Sequence, residues 1–151
     1  LTQTTLSVDD THDIVTTLER RFPNIVAPKC EDICYATSNR QAAVKAIADK
    51  CQLVLVIGAP NSSNSLRLVE VAERCGTKSF LVQRAQDVDF DWLKGVETLG
   101  ITAGASAPEA LVRQFIAHIS EQFTVNEQQV VTAEESITFK LPRGLSETDS
   151  V

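Results

Sequence analysis

Side chains that could bind or transform a ligand occur in four short stretches: Thr4-Thr5, Cys34, Ser62-Ser63-Asn64 and Ser106. Three of the four carry hydroxyls or an amide at points where an extended run gives way to a helical pattern. Such junctions suit an anion held by backbone N–H groups, side-chain donors and helix dipoles. Each helix terminus contributes about 0.3–1 kcal/mol toward a nearby anion. Ser and Asn are also the preferred helix caps and turn residues, so any one junction has an ordinary structural explanation. Three together, one of them reading Ser62-Ser63-Asn64-Ser65, point to a phosphate or diphosphate site. None of these turns holds a Lys or Arg. Neither G-x-G-x-x-G nor G-K-[ST] occurs, which argues against a nucleoside triphosphate or a dinucleotide.

Cys34 offers a different chemistry. It sits in Asp32-Ile33-Cys34-Tyr35-Ala36-Thr37, just ahead of a helix, where the dipole favours the thiolate that a metal needs. With Cys30 it makes C-x3-C, but no other ligand-type residues stand close by, so a complete zinc site within this chain is not expected. Cys51 and Cys75 end amphipathic stretches and read as small core residues. The first ten residues lack the charged and apolar regions of a signal peptide, so reduced thiols are expected. His12 and His118 are remote from the cysteines and read as surface residues.

The elements that must position these groups alternate between helix and strand. Leu1 to Thr5 reads as the tail of a strand. Ser7 opens a helix with Asp9 and Asp10 in its first turn, Thr11, Ile14, Val15, Leu18 and Phe22 along one face, and Pro23 at its end. A short strand is expected over Asn24–Ala27. A second helix, capped by Thr37 or Ser38, runs from about Asn39 to Lys50 with Ala43, Val44, Ile47 and Ala48 inward. The run Leu53–Ile57 is apolar on both faces and belongs in the middle of a parallel sheet. The next helix carries Leu66, Val69, Ala72 and Glu73 and stops at Gly76. Strands follow over Ser79–Val82 and Val96–Thr102, with a short helix over Asp89–Lys94 between them. A last helix starts near Pro108 and runs to about Phe123. Ile137–Leu141 alternates strictly and reads as a half-exposed strand.

This pattern is an α/β fold with a mainly parallel sheet. Residues 1–27 read as the end of a truncated α/β domain, 28–123 as one complete α/β domain, 124–142 as a connection with a terminal strand, and 143–151 as a flexible tail. A start at Leu1 in a chain without Met makes Leu1 a truncation point in this reading. The 151 residues are 43% hydrophobic and 23% charged, which is the composition of a globular domain with a real core. The net charge of −6 is interspersed and leaves no basic stripe for nucleic acid. No apolar run approaches the ~20 residues of a membrane span.

At these residues the sequence resembles the 4-hydroxy-3-methylbut-2-enyl diphosphate reductase family, also called LytB or IspH. The resemblance is carried by Thr2-Gln3-Thr4-Thr5-Leu6-Ser7, Asp32-Ile33-Cys34-Tyr35-Ala36-Thr37-Ser38-Asn39-Arg40-Gln41, Asn61-Ser62-Ser63-Asn64-Ser65 and Thr102-Ala103-Gly104-Ala105-Ser106-Ala107-Pro108. These stretches stand in the family's order and spacing, and the likeness runs from Leu1 to about Leu141. It implies a protein of three similar α/β units around an iron–sulfur cluster, of which this chain is the carboxyl-terminal half.

The resemblance further implies that Cys34 is one of three cysteines holding a 4Fe–4S cluster, with Cys30 incidental. It implies that Thr4 contacts the substrate near its hydroxyl and the proton-delivery path, and that Ser62, Ser63, Asn64 and Ser106 grip the diphosphate. Three thiolates leave one iron free to act as a Lewis acid. Two electrons and protons then remove the allylic hydroxyl as water, giving isopentenyl and dimethylallyl diphosphates. The electrons are expected from ferredoxin or flavodoxin, and the compartment is bacterial cytoplasm or plastid. The other cluster cysteines, the family's histidines and its proton-donating Glu would lie upstream, so these 151 residues alone are expected to be inactive. The competing reading is a non-enzymatic phospho-ligand-binding α/β module, which would use the same Ser and Asn loops but give Cys34 no task.

Overall fold

A computed structural model of the chain describes residues 3–26 and 33–133. The run Leu53–Ile57 forms β1, and all five of its side chains are buried. It pairs in parallel with β2 (Lys78–Val82) on one side and β3 (Leu99–Ala103) on the other, in the order β2-β1-β3. Successive side chains of a strand point to opposite faces. Leu53, Leu55 and Ile57 therefore join one core with Leu93 and with Phe115 and Ile119 of α4 (Glu109–Ser120). Val54 and Val56 join a second core with Val44 of α2 (Tyr35–Ala48) and with Leu68, Val71 and Ala72 of α3 (Ser63–Arg74). Helices cover both faces, which is why the central strand carries no polar side chain. Burying each such Val, Leu or Ile contributes roughly 1.5–3 kcal/mol.

Several boundaries differ from the sequence expectation, each for a local reason. The second helix begins at Tyr35 instead of Asn39, and Cys34 itself is its N-cap in place of Thr37 or Ser38. The amides of Thr37 and Ser38 donate to Cys34 O at 2.8 and 3.0 Å, and Thr37 is buried inside the helix. In α3 the buried face is Ser65, Leu68, Val71 and Ala72, while Leu66 is exposed. Its end is as expected: Gly76 has φ +85°, and the Gly76 and Thr77 amides close onto Glu73 O and Ala72 O. β3 starts three residues later than Val96 because Gln52 Oε1 accepts from the Glu97 and Thr98 amides at 2.6 and 3.0 Å.

The expected helix at Asp89–Lys94 is a 3-10 turn, Phe90–Leu93, capped by Asp89. α4 has Pro108 as N-cap and ends at Ser120 instead of Phe123. No strand forms over Asn24–Val26, where the Ile25 amide closes a turn onto Phe22 O at 2.9 Å. Gln3 to Leu6 is likewise a turn and not a strand end. Leu1, Thr2, Cys30, the strand expected at Ile137–Leu141 and the 143–151 tail lie outside the described residues. Among the described residues no helix is long and apolar enough to cross a membrane.

α1 (Val8–Arg21) departs furthest from expectation. Ser7 caps it, accepting from the Asp10 amide at 3.2 Å, but none of its residues is buried. The face expected to enter a core is open, with Ile14 59% and Phe22 52% exposed. Polar contacts in the first turn hold the helix instead. Lys45 Nζ donates to Asp9 at 2.7 Å, and Arg74 donates to both Asp10 oxygens at 2.6 and 3.0 Å. The Arg74 hydrogen bond holds the Asp10 carboxyl below the usual carboxylate range.

These burials give a direct test. Leu55→Ala should cost about 2–5 kcal/mol, because it leaves a cavity in the central strand. Leu66→Ala should stay within about 0.5 kcal/mol, because its side chain faces solvent. Urea unfolding midpoints check both, and comparable losses would contradict the assigned α3 face.

Candidate functional site

Parallel order places the ends of β1, β2 and β3 at one edge of the sheet, the edge where ligands bind in such folds. α3 starts just beyond β1 and α4 just beyond β3, so both N-termini lie there. α2 precedes β1 and runs back toward it, which sets its own N-terminus at the same edge. A direct link supports this: Arg40 Nη1, from the second turn of α2, donates to Ala103 O at the end of β3, 2.9 Å away.

Two glycines let the first turn of α3 sit down on that edge. A Cβ on Gly58 would overlap Ser65 Oγ and lie 2.6 Å from Ser65 Cβ. A Cβ on Gly104 would lie 2.5 Å from Ser65 Oγ. Ser65 thus fills a notch between the ends of β1 and β3, and it is almost wholly buried. Its hydroxyl donates to Ser62 Oγ at 3.0 Å, and its amide reaches the same oxygen at 3.3 Å. Ser62 is therefore a true helix cap. Because its oxygen accepts both bonds, its own O–H remains available to donate outward.

Asn64 has no such structural employment. Both its amide nitrogen and its amide oxygen are buried without a hydrogen-bond partner. Its Nδ2 lies 3.8 Å from where a Gly104 Cβ would stand, so the amide rests against the turn that follows β3. An unpaired buried amide group costs about 1–3 kcal/mol, which a donor-accepting ligand would recover. Ser63 and Ser106 are exposed, and Ser106 is not a cap, since Pro108 holds that position. Ser106 and Ser65 line a cleft of about 290 Å³ together with Gly58, Gly104, Pro108 and Arg84. Arg84 follows β2 and brings a cation to an edge whose other turns have none. Sequence reasoning passed over it by leaving out the junction after β2; the adjoining Gln83-Arg84 at a strand end was the available signal.

The structure brings Thr4 and Cys34 together at the start of α2. The Cys34 amide donates to Thr4 O at 3.3 Å, and both residues are exposed. Cys34 has a free thiol and makes no side-chain capping bond. Among the described residues, no group of three His, Cys, Asp or Glu could hold a metal ion. Cys51 and Cys75 are half-buried free thiols, and burial pushes the Cys51 thiol up. His12 is exposed on α1, while His118 pairs with Glu121 at 3.2 Å and packs against Phe90. Gln41, which periodicity could not single out, is 1% exposed and bonds the Leu6–Val8 segment through both ends of its amide.

Comparison with known proteins bears on this site. The family model described as LytB protein matches residues 1–120. A 4-hydroxy-3-methylbut-2-enyl diphosphate reductase of Phenylobacterium zucineum is 58% identical over 97% of this chain and 46% of its own length. The reductase of that name from Pseudomonas aeruginosa is 54% identical over 96% of this chain and 46% of its own length. A solved E-1-hydroxy-2-methyl-but-2-enyl-4-diphosphate reductase from Plasmodium falciparum superposes with TM-score 0.89 at 36% identity, covering 95% of this chain and 46% of that one. The chain therefore spans a little under half the length of the relatives it matches.

The glycine notch makes a prediction of its own. Gly104→Ala should destabilise by about 1–3 kcal/mol through overpacking against Ser65 Oγ. Adding Ser65→Ala should relieve most of that loss, because Ser65 Cβ is 3.7 Å from the new methyl. The same second change should not rescue Gly58→Ala, where Ser65 Cβ itself stands 2.6 Å away. A double-mutant cycle on unfolding free energies reads both couplings, and additive losses at Gly104 would argue against the notch.

Proposed function

The chain belongs to the LytB protein family, and from that membership we propose that it is the carboxyl-terminal part of an iron–sulfur reductase acting on 4-hydroxy-3-methylbut-2-enyl diphosphate. The products would be isopentenyl and dimethylallyl diphosphates. The observation that carries the reading is Asn64: a buried amide with no partner in the first turn of α3, against the turn that follows β3 at the carboxyl edge of the sheet. In this reading Ser62, Ser63, Asn64 and Ser106 grip the diphosphate. Ser62 donates the O–H that its capping role leaves free, Asn64 donates Nδ2–H, and α3's first-turn amides add the helix dipole. The Thr4 hydroxyl bonds the substrate near its own hydroxyl and holds the proton path.

Cys34 fits one ligand of a 4Fe–4S cluster: its thiol is free, exposed, and set at a helix N-terminus with no side-chain capping bond. One thiol does not make a cluster site, so the remaining ligands come from the portion of the protein that this chain does not span. When bound, the cluster supplies electrons and a Lewis-acidic iron to the departing hydroxyl. Thr4 and Cys34, joined through the backbone, set the reacting end of the substrate, while the Ser62–Asn64 and Ser106 turns set the diphosphate end. The electron donor we assign is a ferredoxin or flavodoxin, and the bacterial relatives favour a cytoplasmic enzyme. The open apolar face of α1 supports reading residues 1–27 as part of a second α/β unit completed by that remaining portion, with 28–123 as a unit of its own.

Two expectations test the proposal in the full-length enzyme. Asn64→Ala and Ser106→Ala should each weaken pyrophosphate inhibition by about 10- to 150-fold, since a hydrogen bond to a charged group contributes about 1.5–3 kcal/mol. Unchanged inhibition with a lowered melting temperature would reduce these residues to local structure. Cys34→Ser should abolish turnover and lower iron content, while Cys30→Ser should leave both near wild type. Absence of iron and of cluster absorption from the anaerobically purified wild-type protein would favour a phospho-ligand module without redox chemistry.

A further inference from the structure

We propose that Gln41 is a positioning residue that sets Thr4 against Cys34 without touching the substrate. The inference rests on the functional reading above and adds a residue to it. Gln41 lies seven positions after Cys34, two turns along the same face of α2. Its side chain is 1% exposed, and both ends of its amide are spent on one neighbouring segment. Gln41 Nε2 donates to Leu6 O at 2.9 Å, and Gln41 Oε1 accepts from the Val8 amide at 3.0 Å.

That segment carries Thr4 at one end and the Ser7 cap of α1 at the other. At the Thr4 end it is held by the Cys34 amide, which donates to Thr4 O at 3.3 Å. The turn therefore has three polar supports: one beside Cys34, one at Gln41, and a longer bond of 3.4 Å from Arg74 Nη1 to Ser7 Oγ. The helix that follows adds little apolar anchorage, because α1 buries none of its residues. The ion pairs of Asp9 and Asp10 are exposed and restrain only the helix beyond. Gln41 is the support whose own side chain is buried, and its paired donor and acceptor select one register: a shift of one residue would turn the facing carbonyl and amide away from it. Thr4 would then sit out of line with the thiolate, and a misplacement of about 1 Å costs about 100-fold in rate.

The test uses the full-length, cluster-loaded enzyme. Gln41→Met keeps the side chain's length and removes both hydrogen bonds. It should lower kcat by about 10- to 100-fold. The Michaelis constant and pyrophosphate inhibition should stay within about threefold, because the diphosphate turns are held by Gly58, Gly104 and Ser65. Amide hydrogen exchange should quicken at Val8 and also at Cys34, which a purely local loss would not reach. The Thr4→Val and Gln41→Met effects on kcat should be strongly non-additive, since both act through the Thr4 hydroxyl. If Gln41→Met fails to fold, Gln41→Glu retains the acceptor for Val8 N–H and should show a smaller loss of kcat in the same direction. Wild-type kcat in a folded Gln41 variant, unchanged exchange at Cys34, or additivity with Thr4→Val would overturn the proposal and leave Gln41 a stability element. A wild-type protein lacking cluster absorption and turnover would instead overturn the reductase reading on which it rests.

Discussion

The buried hydroxyl of Ser65, lodged between Gly58 and Gly104, is the contact on which the candidate site depends. A parallel sheet brings strand ends to one edge, but it does not decide how closely the next helix approaches them. Here two absent side chains do. Ser65 then draws the first turn of α3 onto the ends of β1 and β3, with Ser62 capping from outside and Asn64 pressed against the turn after β3. The result is an uncompensated amide in the first turn of α3, at the sheet edge where helices begin. Natural folds leave few buried polar groups unpaired, and those they leave ask for a ligand or a function as the reason.

The opposite end of the site is built on polar contacts. The spacing of α1 gives it an apolar face, yet its first turn docks through Asp9, Asp10, Ser7 and the Gln41 amide while that face stays open. Docking of this kind is directional. Apolar packing tolerates sliding, whereas a paired donor and acceptor specify one register. The segment bearing Thr4 is thereby fixed relative to Cys34 even though it buries little surface. The two ends of the site meet across α2, where adjacent Arg40 and Gln41 reach in different directions, one to the end of β3 and the other to the Thr4 segment.

Membership of the LytB family gives these observations a common purpose without making them redundant. The reading of an anion site rests on strand order, helix termini and an unpaired amide, and needs no relative to be made. The redox part does not follow in that way. A single exposed thiol at a helix start is compatible with several tasks, and it is the match over residues 1–120 that favours a cluster.

Much of this was legible in the order of residues. The two-faced apolar run Leu53–Ile57 could only be a central parallel strand, Gly76 could only end a helix at positive φ, and the Ser62–Ser65 and Ser106 turns announced themselves by type and place. Near-neighbour chemistry determines such features, so sequence suffices for them. Tertiary structure alone decided the rest. Periodicity marks a helix's apolar face but not what lies opposite: it grouped Leu66 with Val69 and Ala72, whereas α3 buries Leu68, Val71 and Ala72 against β1, and it gave α1 an apolar face that stays open. Thr37 resembles a cap until the helix is seen to start at Tyr35 with Cys34 as its cap, and Gln52 looks unremarkable until its amide oxygen displaces the start of β3. Gln41 bridges 33 and 35 positions of chain to Val8 and Leu6, and Arg40 bridges 63 to Ala103. Contacts at that separation exist only once the sheet has brought its edge together, because no local rule of spacing or propensity records which distant backbone groups a buried polar side chain will find unpaired.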